Sequence, residues 1–229
     1  MDNCLQKTDK SIQSLYALLS DINPPSTAGI KSSWEDELGQ NISDQVWGAS
    51  LRYIHTCSIN SRHCLIQFKI LHRLHYSKTR LHKLFSDSSP LCDKCYITEA
   101  TLLHSYALCP RLRSFWAGVF TTCTAVLKFR IDPDPVLTVL GVSEASLTWT
   151  RAQQNFVAYA LIIAKKLILL YWKKKEAPNT KLWLSELTNT LHMEQIRYRI
   201  EGKIAEFDQI WSPFTHYLSS SETWANPCV

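Results

Sequence analysis

Four residues within one short stretch have the ligand chemistry of a metal site: Cys92, Cys95, His104 and Cys109. Their order is Cys-x2-Cys-x8-His-x4-Cys. Zinc prefers four tetrahedral ligands drawn from thiolate sulfur and imidazole nitrogen. A Cys-x2-Cys turn lets two thiolates face one ion, and a His and Cys five apart fit one helical turn plus its exit. Pro90 and Pro110 bracket the segment and predict that flanking helices stop there. Four protein ligands leave no open position for water or substrate, so the expected role of Zn2+ is structural. The competing reading is four unrelated buried residues, since Cys is common in cores.

A second chemistry lies just upstream. Between Asp44 and Asp87 there is no acidic residue, while Arg52, Arg62, Lys69, Arg73, Lys78, Arg80 and Lys83 all fall there. The net charge of the whole chain is only +5, so the remainder is slightly acidic. If 61–85 were helical, Arg62, Lys69, Arg73, Tyr76, Arg80 and Lys83 would lie along one face. A row of cations repels itself and attracts a polyanion, which releases counterions on binding. Tyr76 adds a ring for stacking an unpaired base. RNA or single-stranded DNA is the partner this pattern suggests, gripped through its backbone with weak sequence preference. A solvated helix face is the plainer alternative. Lys173, Lys174 and Lys175 end an apolar run, where they complement a helix dipole, with phosphate binding or nuclear import as the alternative.

Catalytic groups are harder to assemble. His55 with Cys57, and His63 with Cys64, are sequence neighbours at core-like positions, poor geometry for a thiol and its base. Glu35, Asp36 and Glu37 form an acidic cluster expected at a helix start. The tryptophans, among them Trp116, Trp172, Trp183 and Trp211, read as core and groove-lining residues.

These groups need a scaffold. The chain has 229 residues, 45% of them apolar, enough for one or two cores. Six glycines disfavour β-sandwiches and Gly-rich phosphate loops. Residues 1–20 show no uninterrupted apolar stretch, so a reducing, intracellular setting (nuclear or cytoplasmic) is expected, with clustered cysteines binding metal. The run 156–172 is interrupted by Lys165 and Lys166 and reads as a buried helix, not a membrane span.

Periodicity and caps predict a weak helix over 3–20 and a linker over 23–33. Ser33 reads as a helix cap before Asp36, and Ser43 caps a helix to about 57. Asn60 or Ser61 starts another running to about 77, and a short one follows at 79–85. Further helices are expected at 111–129, 150–174, 181–200 and 203–210, the last ending before Pro213. Residues 136–142 fit a short strand or a turn. The fold class is mainly α: a helical bundle-like body with a small CCHC zinc knuckle. Its expected divisions are an N-terminal segment and linker (1–32), a basic helical region (33–89), the knuckle (90–112), a C-terminal helical region (113–218) and a tail (219–229).

Three blocks in this order resemble the C-terminal region of LINE-type retrotransposon reverse-transcriptase polyproteins. They are LIQFKILHRLHYSKTRL (65–81), CDKCYITEATLLHSYALCPRLRSFW (92–116), and LTWTRAQQNFVAYALIIAKKLILLYWKKK (147–175) with the later TKLWL. The resemblance covers roughly 33–217. It implies a tail that helps hold template RNA and target DNA, within a retroelement ribonucleoprotein. It also implies zinc ligation by Cys92, Cys95, His104 and Cys109, and a basic block around 69–83. The metal-binding Asp-Asp turn of a polymerase is absent, since no two aspartates are adjacent, and there is no room for polymerase or endonuclease regions. The expected function is therefore non-catalytic nucleic-acid binding. The alternatives are a zinc-stabilised protein-interaction domain presenting Trp-rich helices, or a retroelement remnant without selected function.

Overall fold

The computed structural model describes residues 26–220. The expected helix over 3–20 and most of the expected tail lie outside this range. The described chain is mainly α, with an isolated antiparallel bridge, Leu91 to Glu99.

Polar side chains start most of its helices. α1 (Ala28–Leu38) ends at Gly39, whose φ of 67° suits a left-handed cap. In α2 (Asp44–Thr56) the Ser43 hydroxyl accepts from the Val46 N–H. Asn60 serves α3 (Ser61–Leu71) and Ser77 serves α4 (Lys78–Leu84) in the same way. α5 (Arg113–Leu127) follows the Cys/His segment, and α6 (Pro135–Leu140) is capped by Asp134 and closed by Gly141. Thr150 and Gln153 form a reciprocal capping box on α7 (Arg151–Leu170). Asn179 starts α8 (Thr180–Ile200), and α9 (Ile204–Ser220) ends the described chain.

α7 is the central element. α3, α5, α8 and α9 all pack on it, and Phe156 through Ala164 are buried without interruption. Such all-round burial removes the amphipathic stripe that a surface helix shows. Trp34, Trp183 and Trp211 are fully buried and Trp116 nearly so. These four tryptophans build the core, while Trp149 and Trp172 are only partly buried. No helix among the described residues is long and apolar enough to cross a membrane.

Four boundaries differ from expectation. α1 begins at Ala28, inside the expected linker, and Ser33 lies within it, donating to the Gly29 carbonyl. Residues 136–142 contribute most of a helix, α6, where a short strand or a turn was expected. α3 stops at Leu71, not near 77. Leu74 N–H reaches the Lys69 carbonyl at 2.8 Å and Arg73 N–H the Ile70 carbonyl at 2.9 Å, a Schellman ending. Arg73 takes the left-handed position (φ 55°) usually given to glycine, so no sequence signal announced it. α9 runs through Pro213, which costs about 3 kcal/mol. Trp211 and Phe214 repay that cost by packing on Phe156 of α7, with ring centroids 5.9 and 5.6 Å away.

Candidate metal centre

Between α4 and α5 the chain makes a tight loop followed by two short turns. Ala100 N–H bonds the Pro90 carbonyl and Cys92 N–H the Thr98 carbonyl, each at 2.9 Å. These bonds pinch the loop that carries Cys92 and Cys95, and Tyr96, with φ 58°, reverses the chain. Lys94 N–H points at the Cys92 sulfur at 3.4 Å. Thr101 then caps the next turn, accepting from His104 N–H at 3.1 Å. That turn, His104–Leu108, is π-helical. Its wide five-residue step is closed by Cys109 N–H on the His104 carbonyl at 2.9 Å. His104 and Cys109 therefore sit one wide turn apart. Pro110 stops the turn as expected, but it also opens a 3-10 turn (Pro110–Leu112) that leads straight into α5.

The outcome is that all four expected ligands meet. One ligand atom from each of Cys92, Cys95, His104 and Cys109 lies within 4.8 Å of the others, and all four residues are buried. Cys92 and Cys109 sulfurs are 3.8 Å apart, and Cys95 sulfur is 3.5 Å from His104 Nε2. A tetrahedron with metal–sulfur bonds of about 2.3 Å and metal–nitrogen bonds of about 2.0 Å has edges of roughly 3.8 and 3.5 Å. A disulfide would need its sulfurs near 2.05 Å, so Cys92 and Cys109 are free thiols. The cluster can hold a metal ion.

Its electrostatics pull in two directions. Burial pushes the Cys109 thiol up to about 12. At Cys95 burial also opposes ionisation, but the backbone N–H groups of Ile97 and Thr98 and the neighbouring thiols outweigh it and hold the thiol below its ordinary value. Burial keeps His104 neutral by lowering its pKa. A cation at the centre favours thiolates outright.

Two residues tie this loop to the body. The Lys94 ammonium donates to the carbonyls of Tyr171, Trp172 and Lys174, just past the end of α7. Glu37, at the end of α1, accepts from Leu103 N–H at 3.0 Å and pairs with Arg73. The acidic cluster 35–37 thus closes a helix instead of starting one. It acts through contacts and not through the dipole: Glu35 accepts from Ile42 N–H at 2.9 Å.

The basic residues do not form the single row expected from 61–85. Arg62 and Lys69 are exposed on α3, and Arg80 and Lys83 on α4, but the chain turns between them. Arg73 is withdrawn from the surface row: its guanidinium pairs with Glu37 and lies 4.4 Å over the Trp34 ring. Arg80 donates to the Arg73 carbonyl at 2.9 Å and stacks over Tyr76 at 4.9 Å. Lys78 is paired with Asp93 at 2.9 Å. The stretch lacks acids of its own, but the fold supplies Glu37 and Asp93 from outside it. Arg62, Lys69 and Lys83 keep no ion pair among the described residues.

The cysteine–histidine neighbours are held by bonds to the chain around them. The Cys57 thiol is buried, donates toward the Ile54 carbonyl and is pushed up to about 12 by burial. Cys64 donates to the Ser58 carbonyl, while His63 faces the Ser58 hydroxyl at 3.1 Å. Burial lowers His63 to about 4.

No known protein-family model matches the sequence.

Proposed function

We propose that this chain is a non-catalytic nucleic-acid-binding module, tied together by one zinc ion and akin to the tail of a LINE-type reverse transcriptase. The observation that carries the reading is the meeting of Cys92, Cys95, His104 and Cys109 within 4.8 Å, in a chain that also exposes Arg62, Lys69 and Lys83 without an ion pair among the described residues. Three sulfurs and one imidazole nitrogen gathered within 4.8 Å are the donor set that favours zinc among common ions. Four protein ligands fill its coordination sphere, so the ion holds the loop and offers substrate no open position. Arg62, Lys69 and Lys83 on the exposed surface are free to meet phosphates, and RNA or single-stranded DNA is the partner whose charge fits them.

Protein purified without chelator should contain about one zinc per chain, and Cys95→Ser should lose the metal and lower the melting temperature. The zinc-loaded chain should bind RNA with an affinity that falls steeply as salt rises. Absence of zinc defeats the metal assignment. A salt-independent affinity, or none, defeats the nucleic-acid assignment.

A protein-interaction role draws support from a different place. Met193, Ile196 and Ile200 are exposed at helical spacing along the end of α8, followed by Ile204 at the start of α9. This apolar stripe lies outside the metal loop, and Met193→Glu with Ile200→Glu would leave RNA binding intact if the first reading holds.

A further inference from the structure

Lys173, Lys174 and Lys175 were expected to complement the dipole of the helix before them. Lys94 performs that task instead, reaching three carbonyls at the end of α7. The three lysines are therefore exposed and hold no ion pair among the described residues. Glu176, next in sequence, bears on Lys94. Lys174 stacks 4.3 Å over Tyr171.

These lysines line a cleft of about 910 Å³ bounded also by α4 and the metal loop. Asp93 is the carboxylate among its lining residues, and Lys78 already holds it. The same cleft presents aromatic surface. Tyr76 is more than half exposed, and Trp172 stands on the wall, backed by Tyr106 at 5.2 Å. His75, also on the wall, has an Nε2 without a protein partner. Spare cations next to ring faces are the combination that single strands require, with phosphate on lysine and base on ring. A duplex keeps its base faces inside its own stack. The volume is in the range of small-ligand sites and accommodates one nucleotide.

We infer that this cleft receives an unpaired nucleotide of a single strand, its phosphate on Lys173 and Lys175 and its base against Tyr76 or Trp172. The inference rests on the nucleic-acid reading above and gives it a location that does not include Arg62, Lys69 or Lys83.

The test is a titration of the zinc-loaded full chain with a short fluorescent single-stranded RNA and with a duplex of equal length. Lys173→Glu combined with Lys175→Glu should weaken single-strand binding roughly tenfold and flatten the salt dependence by one to two counterions, roughly. Tyr76→Ala should also cost about tenfold, whereas Arg62→Glu combined with Lys83→Glu should cost less. All five positions are exposed, so the fold is retained. If the cleft variants bind like wild type while Arg62→Glu with Lys83→Glu abolishes binding, the cleft is wrong and nucleic-acid binding stands. If the duplex binds as tightly as the single strand, the seat for an unpaired base is wrong. If wild type binds neither, both readings fall together.

Discussion

Arg73 sits where a helix normally ends in glycine, and its side chain explains why it is tolerated there. A left-handed residue with a Cβ costs roughly 1–2 kcal/mol. Against this, Arg73 gains the half-buried ion pair with Glu37 and the face of Trp34. Removing one partner of such a pair leaves the other poorly solvated. Arg73→Ala should therefore destabilise the protein by about 2–3 kcal/mol in urea denaturation. Arg73→Gly should cost about 1 kcal/mol less than Arg73→Ala, because glycine relieves the backbone. Lys69→Ala, on the exposed face of α3, should stay within about 0.5 kcal/mol. Equal losses at the two positions would return Arg73 to the surface row. At this scale the metal ligands were readable because Cys92 to Cys109 is a local pattern whose spacing a loop and a turn can satisfy. Lys94 and Glu37 were not, since their partners stand at Tyr171 and Leu103 and only the folded chain brings them near.

The helices themselves were largely legible. Ser43, Asn60, Thr150 and the periodic apolar residues after them carry their own start signals. The ends of α3 and α9 were hidden for opposite reasons: one stops without glycine, the other continues despite proline, and tertiary contacts decide both. The junction between the metal loop and α7 belongs to this scale too, because one lysine joins two elements. Charged donors to carbonyls contribute about 1.5–3 kcal/mol, and Lys94 makes several. Lys94→Met should lower stability by about 2–3 kcal/mol and speed amide exchange at the end of α7, with the zinc content unchanged. Asp93→Asn, one residue earlier and partly exposed, provides the comparison and should cost no more than about 0.5 kcal/mol. Unaltered exchange at the end of α7 in Lys94→Met would mean that the loop and the helix are held together by packing alone.

For the molecule as a whole, the least expected feature is Lys165, fully buried in the middle of the longest apolar helix. Its run of neighbours read as a buried helix, but a lysine there reads as a surface interruption. In the fold its Nζ donates to Gln67 Oε1 at 2.7 Å and stands 5.5 Å from the Tyr53 ring, with no carboxylate paired to it. Gln67 in turn donates to the carbonyls of Val139 and Leu140, so the group joins α7, α3 and α6. Burial lowers its pKa from 10.5 to about 7. Above pH 7 the folded chain holds a neutral amine while the unfolded chain holds an ammonium. The unfolded state then binds more protons, and stability must rise with pH by up to about 1.4 kcal/mol per unit. The rise is confined at its upper end by the buried thiols of Cys57 and Cys123, each pushed up to about 12. Unfolded thiols ionise from pH 9, which lowers stability beyond that point. Urea denaturation of zinc-loaded protein from pH 7 to pH 9 should therefore show wild type gaining about 1–2 kcal/mol relative to Lys165→Met. The variant leaves Gln67 Oε1 without its donor, an offset that is constant with pH and does not affect the slope. Parallel pH profiles for the two proteins would show that Lys165 keeps its proton inside the core, and a helical bundle built around a neutral amine would be the wrong description.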